Sequence, residues 1–385
     1  MWKIFTCGKN SPICYLCLTT DFYKNMKKIN FSAGPAILPA PVLKEAARAV
    51  ANYQGMGLSL LELSHRGPEF TAVLEEADAL MRELLQLPAG GPYHVLWMSG
   101  GASAQFFVAP MNLLDASESA AYVDTGVWAH KAIQQARAFG EVEVLASSRE
   151  QNYRYIPKGY KIPKTAKYLH LTSNNTIYGT QLHKFPKSPV PIVCDMSSDF
   201  LSRPIDMTNF GLIYAGAQKN LGPAGVTAVI VREDLLGKVR RPLPTMLDYR
   251  VFVENGSMYN TPPVFPIYVS MLTLRWIKKT GGLQAMHRRN KAKAAVLYRE
   301  IDRNPLFQGT AEPADRSLMN VCFNLSPGYE QLEGEFLKNC QDAGLVGLKG
   351  HRSAGGFRAS IYNAMPKAGV QVLADRMADF ARRKG

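Results

Sequence analysis

Leu212-Ile-Tyr-Ala-Gly-Ala-Gln-Lys219 runs directly into Asn220-Leu-Gly-Pro-Ala-Gly225. The apolar and small residues of the first part read as a buried strand. The glycines and the proline of the second read as a tight loop. A lysine therefore stands at a strand exit, and in an open α/β sheet ligands bind outside the carboxyl ends of the strands. A lysine held among apolar neighbours and near other cations has a lowered pKa and becomes a nucleophile toward aldehydes. Taken alone, Lys219 reads as a surface lysine, so its surroundings must decide.

Short apolar runs recur on both sides of it: His94–Met98, Ala120–Val123, Val142–Leu145, Tyr168–Leu171, Ile192–Asp195, Leu212–Ala215 and Thr227–Val231. Runs of this length between turn signals predict buried strands of a mostly parallel sheet. Helices fit several of the gaps, such as Trp128–Phe139. The gap between Ala215 and Thr227 holds about ten residues with Gly222, Pro223 and Gly225, while a parallel crossover needs about a dozen or more. The strand at Thr227 is therefore expected to run antiparallel, giving a mixed seven-stranded sheet.

Further out, Pro41 opens a helix with Leu43, Ala46, Ala47 and Val50 at helical spacing. A second helix from Pro68 shows Phe70, Leu74, Ala77, Met81 and Leu84 on one face. Past residue 285 the character changes. A long basic helix (Gly282–Asp302) is followed by strand-like Asn320–Leu325, a helix near Leu332–Ala343, then Arg358–Tyr362. A last amphipathic helix shows Val370, Leu373, Ala374, Met377 and Phe380. The expected division is an α/β domain over 40–284 and a smaller α+β domain over 285–385 with 28–39. Residues 1–27 are expected to be a loose extension, or Met26 the true start; they have neither a secretory signal nor the Arg-rich make-up of a transit peptide.

Four other signals sit at strand exits. Asp195 ends Pro191-Ile-Val-Cys-Asp195 and is placed to keep a cofactor's ring nitrogen protonated, though alone it reads as a turn or cap residue. Ser99-Gly100-Gly101-Ala102-Ser103-Ala104-Gln105-Phe106 opens a helix with small residues, which lets backbone amides approach a phosphate. A simple turn fits that stretch equally well. Trp128 is suited to stacking on a flat ring or to the core. Thr176 is suited to a hydrogen bond with a ring hydroxyl. Their joint arrangement around one sheet is what points to a site.

Composition excludes other classes. No stretch approaches the roughly 20 apolar residues needed to span a bilayer. Lysine and arginine exceed aspartate and glutamate by 14, which favours anionic ligands. The clusters at Lys158, Lys161, Lys164 and Lys167 and from Arg288 to Lys293 lack interleaved stacking aromatics, so both read as solvated surface rather than as a nucleic-acid interface. Cys194, Cys322 and Cys340 lie in or beside apolar runs and read as buried thiols. Cys14 and Cys17 form a lone C-x-x-C without a second pair of ligands, so no metal is expected. The pattern, with Cys7, suits a reducing cytoplasm.

Seven segments carry a family resemblance: Asn30-Phe-Ser-Ala-Gly-Pro-Ala36, Ser64-His-Arg-Gly67, Gly100-Gly-Ala-Ser103, Ala215-Gly-Ala-Gln-Lys-Asn220, Gly256-Ser-Met-Tyr-Asn-Thr-Pro-Pro263, Lys349-Gly-His-Arg352 and Gly355-Gly-Phe-Arg-Ala-Ser-Ile-Tyr-Asn-Ala-Met-Pro366. In this order they resemble the phosphoserine aminotransferases, class-V aminotransferases of the fold-type I pyridoxal 5′-phosphate (PLP) enzymes. The resemblance implies that Lys219 carries PLP covalently, with Asp195 at the pyridine nitrogen, Trp128 on the ring and Thr176 at the 3′-oxygen. It implies Ala102, Ser103 and Gln218 at the phosphate, with Asn260 and Thr261 reaching the cofactor of a neighbouring subunit in a homodimer. Some relatives place an arginine where this chain has Ser103. Arg358 would clamp the substrate carboxylate, and His65, Arg66, His351 and Arg352 would surround its phosphate or side-chain carboxylate; guanidinium forks suit both.

The activity so implied is ping-pong transamination between L-glutamate and 3-phosphohydroxypyruvate in serine biosynthesis, with 4-phosphohydroxythreonine as a further product on the route to pyridoxine. Two alternatives stand beside it. A cysteine desulfurase-like enzyme would need a thiol on a mobile loop, and Cys322 sits in an alternating run. A non-catalytic basic protein would bind nucleic acid and lack a chromophore.

Overall fold

The computed structural model describes residues 28–88 and 90–384. Cys7, Cys14, Cys17 and Met26 lie outside the described residues.

Nine helices are labelled here: α1 (Ala40–Ala51), α2 (Pro68–Leu85), α3 (Gly101–Leu113), α4 (Val127–Ala136), α5 (Tyr249–Glu254), α6 (Val264–Lys279), α7 (Gly282–Arg303), α8 (Glu333–Asp342) and α9 (Lys367–Lys384). The central sheet has seven strands: β2 (Tyr93–Met98), β3 (Ser119–Asp124), β4 (Glu141–Ser147), β5 (Leu169–Thr172), β8 (Ile192–Asp195), β9 (Phe210–Gly216) and β10 (Thr227–Arg232). Their spatial order is β2-β10-β9-β8-β5-β3-β4. β10 is antiparallel to both neighbours, and the pairings from β9 out to β4 are parallel. All seven expected strands are present, and the short link after Lys219 does reverse the chain.

Alternation along the strands divides the core in two. Val95, Trp97, Ile213, Ala215, Ala228 and Ile230 face one layer with α1, α2 and α6. Leu96, Met98, Leu212, Tyr214, Val229 and Val231 face another with α3, α4 and α5. A third cluster lies apart. It joins Phe31, the inner face of α7, α8, α9 and the antiparallel sheet β11-β12-β14 (Phe307–Gly309, Asn320–Leu325, Phe357–Ser360). β1 (Ile29–Asn30) pairs with β13 (Leu345–Val346) at its side, and the two-residue strands β6 (Asn174–Asn175) and β7 (Thr180–Gln181) pair antiparallel with each other.

Three readings change. The buried face of α1 is Val42, Ala46 and Ala49; Ala47 lies beside Lys44 and Arg48 on the polar side of the helix and Val50 at its margin, so both are exposed. α6 had no counterpart in the sequence reading. The basic run Arg288–Lys293 is not one solvated face: Arg288, Arg289 and Lys291 are exposed, but Lys293 is buried, in line with Leu283, Met286, Asn290 and Leu297.

Candidate active site

β9 is buried along its whole length and ends at Gly216. The backbone then folds into a turn in which Ala217 N–H donates to Val226 O (3.0 Å) and Gly222 N–H to Ala217 O (2.8 Å). Gly222 allows α6 to press against this turn: a Cβ there would lie 2.5 Å from Ser270 Oγ and 3.3 Å from its Cα. Lys219 is thereby held just past the carboxyl end of β9, an interior strand of the sheet. Ala36 N–H donates to Gln218 O (2.8 Å), so the segment after β1 crosses beside the lysine. Gly34 supplies the left-handed backbone of that crossing (φ +145°), whereas a Cβ there would make only ordinary contact with Lys219 Cγ at 3.5 Å.

Lys219 is largely buried, and burial lowers its pKa; Asp195 opposes that shift and Arg358 adds to it. The amine is thus biased toward its neutral, nucleophilic form. Asp195, at the end of β8, accepts a hydrogen bond from Ser197 N–H (2.9 Å). Burial raises its pKa, and Lys219 with Ser197 pulls it back. Beneath it on the same face, His170 Nε2 and Tyr214 Oη are 2.8 Å apart, and burial holds His170 neutral with a pKa of about 3. The floor under Asp195 is therefore dry and uncharged.

Trp128, in the first turn of α4, has its ring centroid 5.9 Å from Lys219 Nζ. Its Nε1–H donates to Thr176 Oγ1 (3.0 Å), and Arg358 Nη1 donates to Thr176 O (3.1 Å). The structure so brings Lys219, Asp195, Trp128, Thr176 and Arg358 together. Arg358 Nε is buried without a partner, which leaves a donor free for an incoming carboxylate. α3 begins at Gly100 and Gly101, both left-handed (φ +96° and +67°), so the first amides, with those of Ala102 and Ser103, have no intrahelical acceptor. Asn260 shares a cavity of about 260 Å³ with Gly100 and Gln105, and Thr261 is exposed beside it.

His351 lies on the loop before β14. Its pKa is lowered by partial burial first, then by Arg358, Arg352 and Lys131. These cations therefore face one region. Lys131 was missed in the sequence. Its signal is spacing: three residues after Trp128 on a helix, with its ammonium 5.0 Å from the indole centroid. His65 and Arg66 lie on a loop ahead of α2, and no hydrogen bond, ion pair or ring contact among the described residues ties them to the Lys219 cluster.

These residues fit PLP. A half-buried indole offers a slab for the ring, a buried carboxylate sits within electrostatic reach of the amine, and unpartnered amides at a helix start suit a phosphate. The thiol alternative fails, because Cys322 is buried inside β12 and burial pushes its pKa up to about 12. Among the described residues no cluster of metal-binding side chains occurs, and no helix is long and apolar enough to cross a membrane.

Comparison with known proteins is consistent across sequence and structure. The aminotransferase class-V family matches residues 29–373. A phosphoserine aminotransferase of Parabacteroides distasonis is 57% identical over 358 residues, covering 93% of this chain and 100% of its own. The solved phosphoserine aminotransferase from Bacillus circulans subsp. alkalophilus superposes with a TM-score of 0.90 at 48% identity, over 94% of this chain and 100% of that one. A PLP-bound phosphoserine aminotransferase from Trichomonas vaginalis gives 0.86 at 39% identity, over 91% and 99%.

Proposed function

This chain belongs to the aminotransferase class-V family, and we propose that it moves the amino group of L-glutamate to 3-phosphohydroxypyruvate, giving 2-oxoglutarate and O-phospho-L-serine. It is a PLP-dependent aminotransferase. When bound, PLP supplies an aldehyde that accepts the amino group and a pyridinium that draws electrons from the adjacent carbon. The observation that carries the reading is the largely buried Lys219 amine, with Asp195 and Arg358 as its charged neighbours.

The roles follow from the positions. Lys219 Nζ, biased toward the neutral amine, takes the substrate's Cα proton as general base and later returns it as general acid. Asp195 holds a proton on the ring nitrogen. Trp128 covers the ring face and Thr176 meets its oxygen. The first amides of α3, with Ala102, Ser103 and Gln218, hold the cofactor phosphate. Arg358 takes the carboxylate common to both substrates. His351, Arg352 and Lys131 face the end that carries the phosphate in one substrate and the side-chain carboxylate in the other; His65 and Arg66, which no contact among the described residues ties to this cluster within one chain, are assigned to that end of the neighbouring subunit's site in the homodimer.

The working form in this reading is a cytoplasmic homodimer with shared sites. Met56, Leu58, Leu61, Met246 and Tyr259 are each more than 40% exposed, an apolar surface that a second copy would cover, and Asn260 and Thr261 follow Tyr259 into the neighbouring site. Residues 40–284 are assigned to the PLP-binding domain, and 28–39 with 285–385 to the small one. The test is a comparison of amino acceptors. Turnover of glutamate with 3-phosphohydroxypyruvate should exceed that with unphosphorylated hydroxypyruvate by about 100-fold or more, the discrimination a desolvated charge pair supplies. Equal rates would remove phosphate recognition from the reading.

A further inference from the structure

Lys293 is an unusual residue for its place. It lies on the inner face of α7, 3% exposed, and no carboxylate pairs with it among the described residues. A buried ammonium without a counter-ion is costly, so its partners require an explanation. Nζ donates to two successive backbone carbonyls, Ile361 O (3.0 Å) and Tyr362 O (2.6 Å). Both belong to the turn that leaves β14, three and four residues past Arg358.

The same turn is tied at every side. Ser360 N–H donates to Phe31 O (3.1 Å) and Ile361 N–H to Met319 O (2.8 Å). Tyr362 Oη donates to Ala33 O (2.7 Å) and accepts from Asn320 Nδ2 (3.1 Å). Asn363 N–H donates to Asn220 Oδ1 (3.0 Å), and Asn220 is the residue after Lys219. Asn290, one turn before Lys293 on α7, donates to Asn363 Oδ1 (2.8 Å) and to Ser202 O (3.1 Å). One buried knot thus joins the loop of the reactive lysine, the strand of the carboxylate-binding arginine and the long helix of the small core. Lys293 closes two of its carbonyls. Without its donors Ile361 O would be left unpaired in a dry place, while Tyr362 O would keep only the Met365 N–H (2.9 Å).

We propose that Lys293 is a positioning residue for Arg358: by fixing the turn after β14 it sets the guanidinium at the correct place relative to Lys219. This rests on Arg358 being the substrate-carboxylate clamp. The role is geometric rather than electrostatic. Burial lowers the pKa of the amine to about 7, and both forms keep the two bonds, since an ammonium has three N–H donors and an amine two.

The test compares Lys293→Met, which removes the donors at similar volume, with Lys293→Gln, which keeps an amide donor on a shorter stem. KM and kcat are measured on the holoenzyme for L-glutamate and for 3-phosphohydroxypyruvate, in wild-type and Arg358→Lys backgrounds. Lys293→Met should raise both KM values about ten-fold with a smaller loss in kcat, as a sub-ångström misplacement of a substrate-binding group would. Lys293→Gln should recover part of that loss. In the Arg358→Lys background Lys293→Met should add no more than about two-fold, because the two act through one contact. A folded Lys293→Met holoenzyme with wild-type KM values overturns the proposal, as does a full ten-fold effect that multiplies with Arg358→Lys. Should Lys293→Met not fold, the Gln variant decides: KM raised about three-fold with cofactor affinity kept supports the role, and unchanged KM ends it. Wild-type turnover on these substrates tests the proposed function separately: an inactive wild type fails that reading, and the same variants are then compared by L-glutamate binding, read from the cofactor's absorbance, where an unchanged affinity in Lys293→Met overturns the positioning role.

Discussion

Lys219 and Lys293 are both withdrawn from water, and both have a lowered pKa for which burial is the first cause. They differ in what surrounds them. Lys219 sits on the turn past the carboxyl end of β9, with a carboxylate, a guanidinium and an indole within reach and, among the described residues, no hydrogen bond that would fix its nitrogen in place. Lys293 sits mid-helix with its nitrogen bonded to two carbonyls. The first arrangement leaves a lone pair available for chemistry. The second uses the nitrogen's N–H groups and keeps it still. A lowered lysine pKa is therefore not by itself a mark of catalysis; what the nitrogen is bonded to separates the two cases.

The largest test of that contrast removes the reactive amine. Lys219→Ala should lower turnover by on the order of 10²–10⁴-fold, the usual contribution of a positioned acid–base group, in single-turnover absorbance measurements. Near wild-type rates would erase the distinction between the two lysines.

A second test reads Lys293 through stability. Its folded pKa of about 7 lies below the unfolded lysine value of about 10.4, so the unfolded chain binds the extra proton between those limits. Its contribution is fully present above the unfolded pKa and is lost as pH falls toward 7. The stability of wild type relative to Lys293→Met should therefore rise with pH across about 7 to 10, by at most about 1.4 kcal/mol per pH unit, and be flat below. Denaturant titrations at several pH values measure it, and parallel curves for the two proteins would contradict the buried, titrating amine.

The smallest effect sharpens the contrast with a third lysine that is exposed. Lys131→Ala should raise KM for 3-phosphohydroxypyruvate by about two- to five-fold, in line with the 0.2–1 kcal/mol typical of exposed charge pairs. The effect should shrink with added salt. A change that ignores ionic strength would mean that Lys131 acts through packing on Trp128 instead.

Much of this was legible before any coordinates. The strands of the central sheet are short apolar runs with clear turns between them, and ten residues are too few for a parallel crossover, so even the reversed strand could be read. Lys219, Asp195, Trp128 and Thr176 could be picked out as candidates because each ends or follows a strand. α6 was not, because Ile267 to Leu274 are buried without interruption and such a helix has no polar face to give it a period. Lys293 was hidden by its neighbours: three exposed cations nearby made the run look uniform, although spacing from Met286, Asn290 and Leu297 places it inward. The buried amide knot was out of reach for a different reason. Asn220, Asn290, Asn320 and Asn363 are far apart in the chain, and single polar residues have no periodicity that would announce their meeting.

The reversed strand β10 has a mechanical effect on the enzyme. Because β9 and β10 are neighbours in the middle of the sheet, the ten residues between them form a hairpin mouth whose neck is clamped on both sides by further strands. The nucleophile cannot swing on its main chain. Its whole range of travel is the rotation of four methylenes, so the partner molecules must be delivered to it.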